Sequence, residues 1–94
     1  MVTAIVLVRT APDVIPEAAA RIAEIEGVRE VYSVTGDVDL VAIVRVPQHD
    51  DLADVIADRI SKIEGIRDTT TYLAFRAYSA PDLEAAFDLG LDGD

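Results

Sequence analysis

Residues 2 to 9, VTAIVLVR, are apolar almost throughout and rich in β-branched side chains, the composition of a strand covered on both faces. The pattern predicts a central strand. From Ile15 to Ile25 the spacing changes, and Ile15, Ala18, Ile22 and Ile25 recur at intervals of three and four, the mark of one apolar helix face. Pro16 fits the first turn of such a helix, and Gly27 fits the left-handed residue that ends it. Two strand-like runs come next, Val28 to Val34 and Val38 to Val46, the second closed by Pro47. A second helix is predicted from about Asp51 to Glu64, with Leu52, Val55, Ile56, Ile60 and Ile63 on one side. Asp51 is its expected N-cap and Gly65 its stop. Residues Ile66 to Tyr78 read as a long last strand, and a short helix with Leu83, Ala86, Phe87 and Leu91 on one side comes after Pro81.

The order strand, helix, strand repeats, and the sequence shows why. Arg21-Ile22-Ala23-Glu24-Ile25-Glu26-Gly27-Val28-Arg29-Glu30 matches Arg59-Ile60-Ser61-Lys62-Ile63-Glu64-Gly65-Ile66-Arg67-Asp68 nearly position for position. Each copy is a helix end, a glycine stop and a strand entry. Two such units side by side give an α+β, ferredoxin-like βαββαβ sandwich: a four-stranded antiparallel sheet, two helices on one face, and here a short C-terminal helix. Residues 1–79 form the expected domain and 80–94 a helical extension with an acidic tail. Of the two faces of Val38 to Val46, one carries Val41, Ile43 and Arg45 and the other Leu40, Ala42, Val44 and Val46. Both are largely apolar. Two helices on one face leave the other uncovered, and a second copy of the sheet is the economical cover, so a homodimer is expected.

Composition narrows the function. Ninety-four residues make one thin core rather than two lobes with a cleft, which places a small-molecule pocket between subunits. A formal charge of −10 works against phosphate backbones, and the eight basic residues look scattered, so no direct nucleic-acid binding is expected. No apolar run approaches the ~20 residues of a membrane span and no signal peptide is visible, so the expected location is cytoplasmic. Absence of cysteine rules out disulfides, thiolate metal sites and thiol catalysis.

Polar groups inside apolar sequence concentrate at the join of the second and third strands. Thr35 offers a hydroxyl, Gly36 an unshielded backbone N–H, and Asp37 and Asp39 carboxylates, a set suited to the carboxylate and ammonium of a zwitterion. Spacing alone favours a plain two-residue hairpin turn at Gly36-Asp37, since such turns want positive φ and G-D-x-D is a weak motif. Asp39 is the exception. It falls inside a β-branched strand, where a carboxylate needs a partner or water. A second cluster, Asp68-Thr69-Thr70-Thr71-Tyr72, opens the last strand, with Thr69 and Thr71 on one face and Asp68, Thr70 and Tyr72 on the other. One set can line a pocket; an exposed strand edge explains the threonines as well. His49 reads as a solvated residue before a helix, and Asp37, Asp39, Asp50 and Asp51 lack a calcium-loop spacing, so no metal site is expected. No serine elbow, phosphate loop or catalytic triad is present, which argues against an enzyme and against a cofactor.

The string G-V-R-E-V-Y-S-V-T-G-D-V-D-L from Gly27 to Leu40, followed by I-E-G-I-R-D-T-T-T-Y from Ile63 to Tyr72, resembles the effector-binding (RAM) domain of Lrp/AsnC transcription regulators over roughly residues 2 to 78. The resemblance implies a βαββαβ domain that dimerises through its sheets, dimers that assemble into octamers or decamers, and amino-acid effectors held at contacts between dimers. It implies ligand-binding roles for Thr35, Gly36, Asp37 and Asp39 on the loop, and for Thr69 and Thr71 on the last strand. Full-length regulators of this kind place a helix-turn-helix domain first, whereas this sequence begins in the first strand and resembles a stand-alone RAM protein.

Three functions remain open. The first is an amino-acid sensor whose assembly responds to its ligand. The second is an interaction subunit that joins full-length Lrp/AsnC-type regulators, and the third a dimeric α/β-barrel enzyme on the same fold, for which only His49 offers a general base.

Overall fold

The computed structural model describes residues 1–78 and Ala80. The expected helix from Asp82 to Leu91 lies outside the described residues. Four strands, β1 (Val2–Thr10), β2 (Val28–Ser33), β3 (Leu40–Val46) and β4 (Ile66–Ala74), form one antiparallel sheet in the order β2-β3-β1-β4. Helix α1 (Ile15–Ala23) connects β1 to β2, and α2 (His49–Ala53) with its π-helical continuation Asp54–Ile60 connects β3 to β4. This is the split βαβ order that the repeat predicts.

The core lies between helices and one sheet face. Ala4, Val6 and Val8 of β1 and Leu40, Ala42 and Val44 of β3 are fully buried, in register as Ala4 opposite Val44, Val6 opposite Ala42 and Val8 opposite Leu40. Ile22 from α1 and Ile60 from the π-helical segment, equivalent positions of the repeat, are fully buried against them. The alternate residues, Ile5, Leu7, Val41 and Ile43, face the other way and are only half-buried. Among the described residues β1 is therefore covered on one face, not two. An antiparallel sheet with both helices on one side leaves the second face without cover.

The two halves interlock reciprocally. Gly27, which ends α1 with φ +99°, accepts the Arg45 N–H at the end of β3 through its carbonyl (2.8 Å). Gly65, with φ +94°, accepts the Ala11 N–H just past β1 in the same way (2.9 Å). Each helix stop is pinned to the central strand of the opposite half.

Element ends shift by one to four residues from the sequence expectation, and four differences stand out. The first connection begins with a 3₁₀ turn, Pro12–Val14, before α1. The second helix starts at His49, because Gln48 is the N-cap; the Asp51 carboxylate closes a capping box by accepting the Gln48 N–H (3.1 Å), so Asp51 sits at the third helical position. Its last turns widen to π-helix, where the Ser61 N–H and hydroxyl both donate to the Ile56 carbonyl (3.0 and 2.8 Å). The last strand stops at Ala74, opposite Thr3, four residues short of the expected Tyr78.

Candidate functional site

The β2–β3 connection is longer than a two-residue turn. The Val34 N–H donates to the Asp39 carbonyl (3.1 Å) and closes a loop over Thr35, Gly36, Asp37 and Val38. Gly36 alone has positive φ there, +120°, and a Cβ built on it would meet nothing within 4 Å. Asp37 does not share that conformation, which removes the expected Gly36-Asp37 turn. Thr35, Gly36 and Asp37 are exposed, so hydroxyl, bare backbone and carboxylate all stand clear at the end of the sheet.

Asp39 faces inward to the sheet. Its N–H donates to the Val8 carbonyl (2.9 Å), and its Oδ2 accepts the Thr10 N–H (2.8 Å). Thr10 is only 4% exposed and lies where the β1–β4 register shifts between Arg9 and Thr10, so its N–H has no strand partner to use. The carboxylate supplies one. Sequence reasoning saw that Asp39 needs a partner; a partner 29 residues away at a bulge leaves no local signal.

The threonines sit on the other side of β1. Thr69 pairs with Val8 and Thr71 with Val6, which places both on the helix-covered face, while Thr70 and Tyr72 pair with Leu7 and Ile5 on the open one. The row Leu40, Val8, Thr69 crosses three strands, so Thr69 and Asp39 flank the same end of β1, about 10 Å apart at the usual strand spacing. Thr69 also lines a shallow depression of about 220 Å³ with Ser61, Arg67 and Asp68. Thr71 lies two residues farther along and is exposed. Loop and threonines share a sheet end without a hydrogen bond between them in one chain.

His49 is an exposed first residue of α2, and with Asp50 and Asp51 it lies at the far end of β3 from Asp37 and Asp39, roughly 20 Å away by strand rise. Among the described residues no group of three or more acidic or histidine side chains is gathered to hold a metal. On the open sheet face the Tyr32 hydroxyl donates to the Glu30 carboxylate. That hydrogen bond, then the charge of Glu30, holds the phenol above its usual range.

A feature that the sequence reading missed lies at the opposite sheet end. Arg29, Arg45 and Arg59 line one open cleft of about 660 Å³, floored by Val28, Val46 and Val55. Three basic residues far apart in sequence thus border one space, with Glu26, Asp51 and Asp54 beside them. The available signal was the repeat itself, which carries Arg29 and Arg59 at its ends.

The family described as the Lrp/AsnC ligand binding domain matches residues 3–82. Among solved structures, the Thermus thermophilus protein TTHA0845 is 47% identical with a TM-score of 0.81, over 84% of this chain and 99% of that one. The hypothetical protein PHS023 from Pyrococcus horikoshii is 32% identical with a TM-score of 0.76, over 83% of this chain and 94% of that one. A transcriptional regulator from Neisseria meningitidis, NMB0573, solved as a complex with L-Met, shares the fold at 16% identity and a TM-score of 0.75, over 83% of this chain but 52% of that one. No curated protein matches the chain. With 80 of 94 positions matched and small proteins of the same shape covered almost end to end, the chain belongs to the Lrp/AsnC ligand-binding-domain family.

Proposed function

We propose that this effector-binding module takes an amino acid at the β2–β3 loop, in a pocket completed by a neighbouring copy, and that the ligand strengthens the assembly it bridges. The observation that carries the reading is the loop itself. Gly36 holds a positive φ with open space around it, flanked by an exposed Thr35 hydroxyl and Asp37 carboxylate. Donors for a carboxylate and an acceptor for an ammonium stand together, with no hydrogen-bond partner among the described residues. Asp39 acts here mainly by fixing the loop to β1 through Thr10, and Thr69 and Thr71 line the approach from β4. The L-Met bound to the Neisseria regulator supports an amino acid as the ligand class. The half-buried Ile5, Leu7, Val41 and Ile43, rimmed by exposed Tyr32 and Tyr72, support a homodimer through open sheet faces, from which octamers or decamers would be built.

A ligand that touches two copies stabilises their contact by its own binding free energy, so no internal conformational relay is needed. A chain of charge −10 favours a sensor that does not itself bind DNA. Titration calorimetry against the standard amino acids tests the site. Wild type is expected to bind at least one, and Gly36→Val and Asp37→Ala to weaken it about tenfold or more, the usual scale for losing a charge-assisted contact. Equal binding by wild type and both variants would move the site elsewhere.

A second reading has one observation in its favour: the chain spans about half of the Neisseria regulator whose fold it shares. A module of this shape can add to rings of longer regulators through the same sheet face. Co-purification with a regulator that carries a DNA-binding domain, with silent amino-acid titrations, would select it.

A further inference from the structure

We infer that the helix-side face of the second half of β4 is a docking surface for this chain's own residues 82–91, packed there as a third helix over Thr71 and Leu73. Burial on that face stops abruptly at β1. In the row Val44, Ala4, Leu73, which crosses three neighbouring strands, the first two side chains are fully buried and Leu73 is 46% exposed. In the next row Ala42 and Val6 are again fully buried, and Thr71 is exposed. Phe75, two residues past Leu73, is 94% exposed, more than any other large apolar side chain among the described residues.

The duplicated frame explains why this face is bare. In the repeat Val28 and Val31 of β2 correspond to Ile66 and Thr69 of β4, and all four are half-buried, so the two helices cover the two edge strands alike at their starts. β2 then ends after 6 residues, whereas β4 runs for 9 and continues through Tyr72, Leu73 and Ala74 without a counterpart. The connection from β3 begins at the end of that strand and reaches β4 only at Ile66, so it does not lie over the added length. The cover is encoded next in the chain. Leu83, Ala86, Phe87 and Leu91 fall on one side of a helix, while Glu84, Asp88 and Asp92 fall on the other, so docking the apolar side buries no charge. A ten-residue helix is about 15 Å long, and β4 from Thr69 to Leu73 spans about 13 Å. Residues 75–81 can reach roughly 23 Å, enough chain to turn back over the strand. Tethering this close gives an effective concentration in roughly the millimolar range, which favours the chain's own segment over one drawn from a second copy. The family match ends at residue 82, so the stripe from Leu83 onward belongs to this chain's extension and not to the shared domain.

The sequence has no cysteine, so thiols introduced in the full chain report on this contact alone. Thr71→Cys with Ala86→Cys places one thiol on the bare face and one on the apolar side, and oxidation should form an intrachain disulfide, read by mass spectrometry of the unreduced chain. Thr71→Cys with Ala85→Cys, on the opposite side of the helix, should cross-link about tenfold more slowly or not at all. A second readout needs no disulfide. Reaction of the single Thr71→Cys thiol with a maleimide should speed up about tenfold when Phe87→Ser is added, and stay within about twofold for Leu89→Ser, which lies off the apolar side. Circular dichroism checks that each variant is folded, and if a double-cysteine variant is not, the reactivity comparison decides. Equal cross-linking of the Ala86 and Ala85 pairs, or equal reactivity with Phe87→Ser and Leu89→Ser, would overturn the docking. A Thr71 to Ala86 disulfide found only between chains would overturn it too, by giving the face to a second copy. No ligand enters these measurements, so their failure is distinct from that of the amino-acid site.

Discussion

Gly27 and Gly65 occupy the same place in the two halves of the repeat, end their helices with the same backbone conformation, and are pinned by the same carbonyl-to-strand hydrogen bond. The segments leaving the two central strands differ. After β1 the chain makes the 3₁₀ turn Pro12–Val14 and folds Val14 over Gly65, so a Cβ there would collide with the valine side chain. After β3 the chain passes through Pro47 and Gln48 straight into α2, and the space beside Gly27 opens into the larger cleft. Duplication fixes the sheet and its interlock, while the short segments after the two central strands decide which glycine is packed against a side chain and which borders the larger cleft.

The largest test of the shared part lies in the core. Ile22→Ala and Ile60→Ala remove equivalent, fully buried side chains, and each should lower unfolding free energy by about 2–5 kcal/mol in urea titrations. Costs that differ by several kcal/mol would break the equivalence of the halves. The glycines probe where the halves part. Gly65→Ala adds overpacking against Val14 to the positive-φ penalty and should cost about 2–4 kcal/mol. Gly27→Ala, whose new Cβ would meet Val46 Cγ1 at 3.0 Å as its tightest contact, should cost about 1–2 kcal/mol by the backbone term with slight repacking. The reverse order would mean that the Val14 plug yields easily.

Asp39 sharpens the comparison at the loop end. Asp39→Ala leaves the Thr10 N–H buried without an acceptor and should cost about 1–3 kcal/mol, with Asp39→Asn recovering much of it. A destabilisation this size in the absence of ligand separates the structural task of Asp39 from any contact with an effector. The smallest effect concerns Tyr32. Its phenol is held above the usual range by Glu30, so the neutral form is favoured in the folded chain, and the interaction is present below the unfolded pKa and lost as pH rises through the folded one. Glu30→Gln should lower the spectrophotometric titration midpoint of one tyrosine at alkaline pH, with little change in stability because the group is exposed.

The fold was legible because periodicity and duplication both speak locally. The three-four spacing of Ile15, Ala18 and Ile22 marks α1, and the shared I-E-G-V-R and I-E-G-I-R strings mark equivalent helix ends. The Thr35 to Asp39 segment was legible as an unusual connection, though not as a four-residue loop, since turn length depends on where Asp39 is tied to Val8 and Thr10. The N-cap moved from Asp51 to Gln48 for a similar reason. Asp51 is the stronger capping residue by preference, but the capping box uses it three positions later. The cleft beside Gly27 was not legible at all, because its lining residues Arg29, Arg45 and Arg59 are far apart in sequence and border one space only through the interlock of the halves. No helix of the described residues is long and apolar enough to cross a membrane.

An amino acid at the Thr35 to Asp39 loop should be coupled to contacts between copies, and a dilution series by light scattering, with and without the amino acid that calorimetry selects, reads that coupling itself. The expected result is a homo-oligomer whose dissociation midpoint moves to lower protein concentration with ligand, and a smaller move for Gly36→Val. A monomer at all concentrations, or an oligomer whose midpoint ignores a bound amino acid, would rule the coupling out.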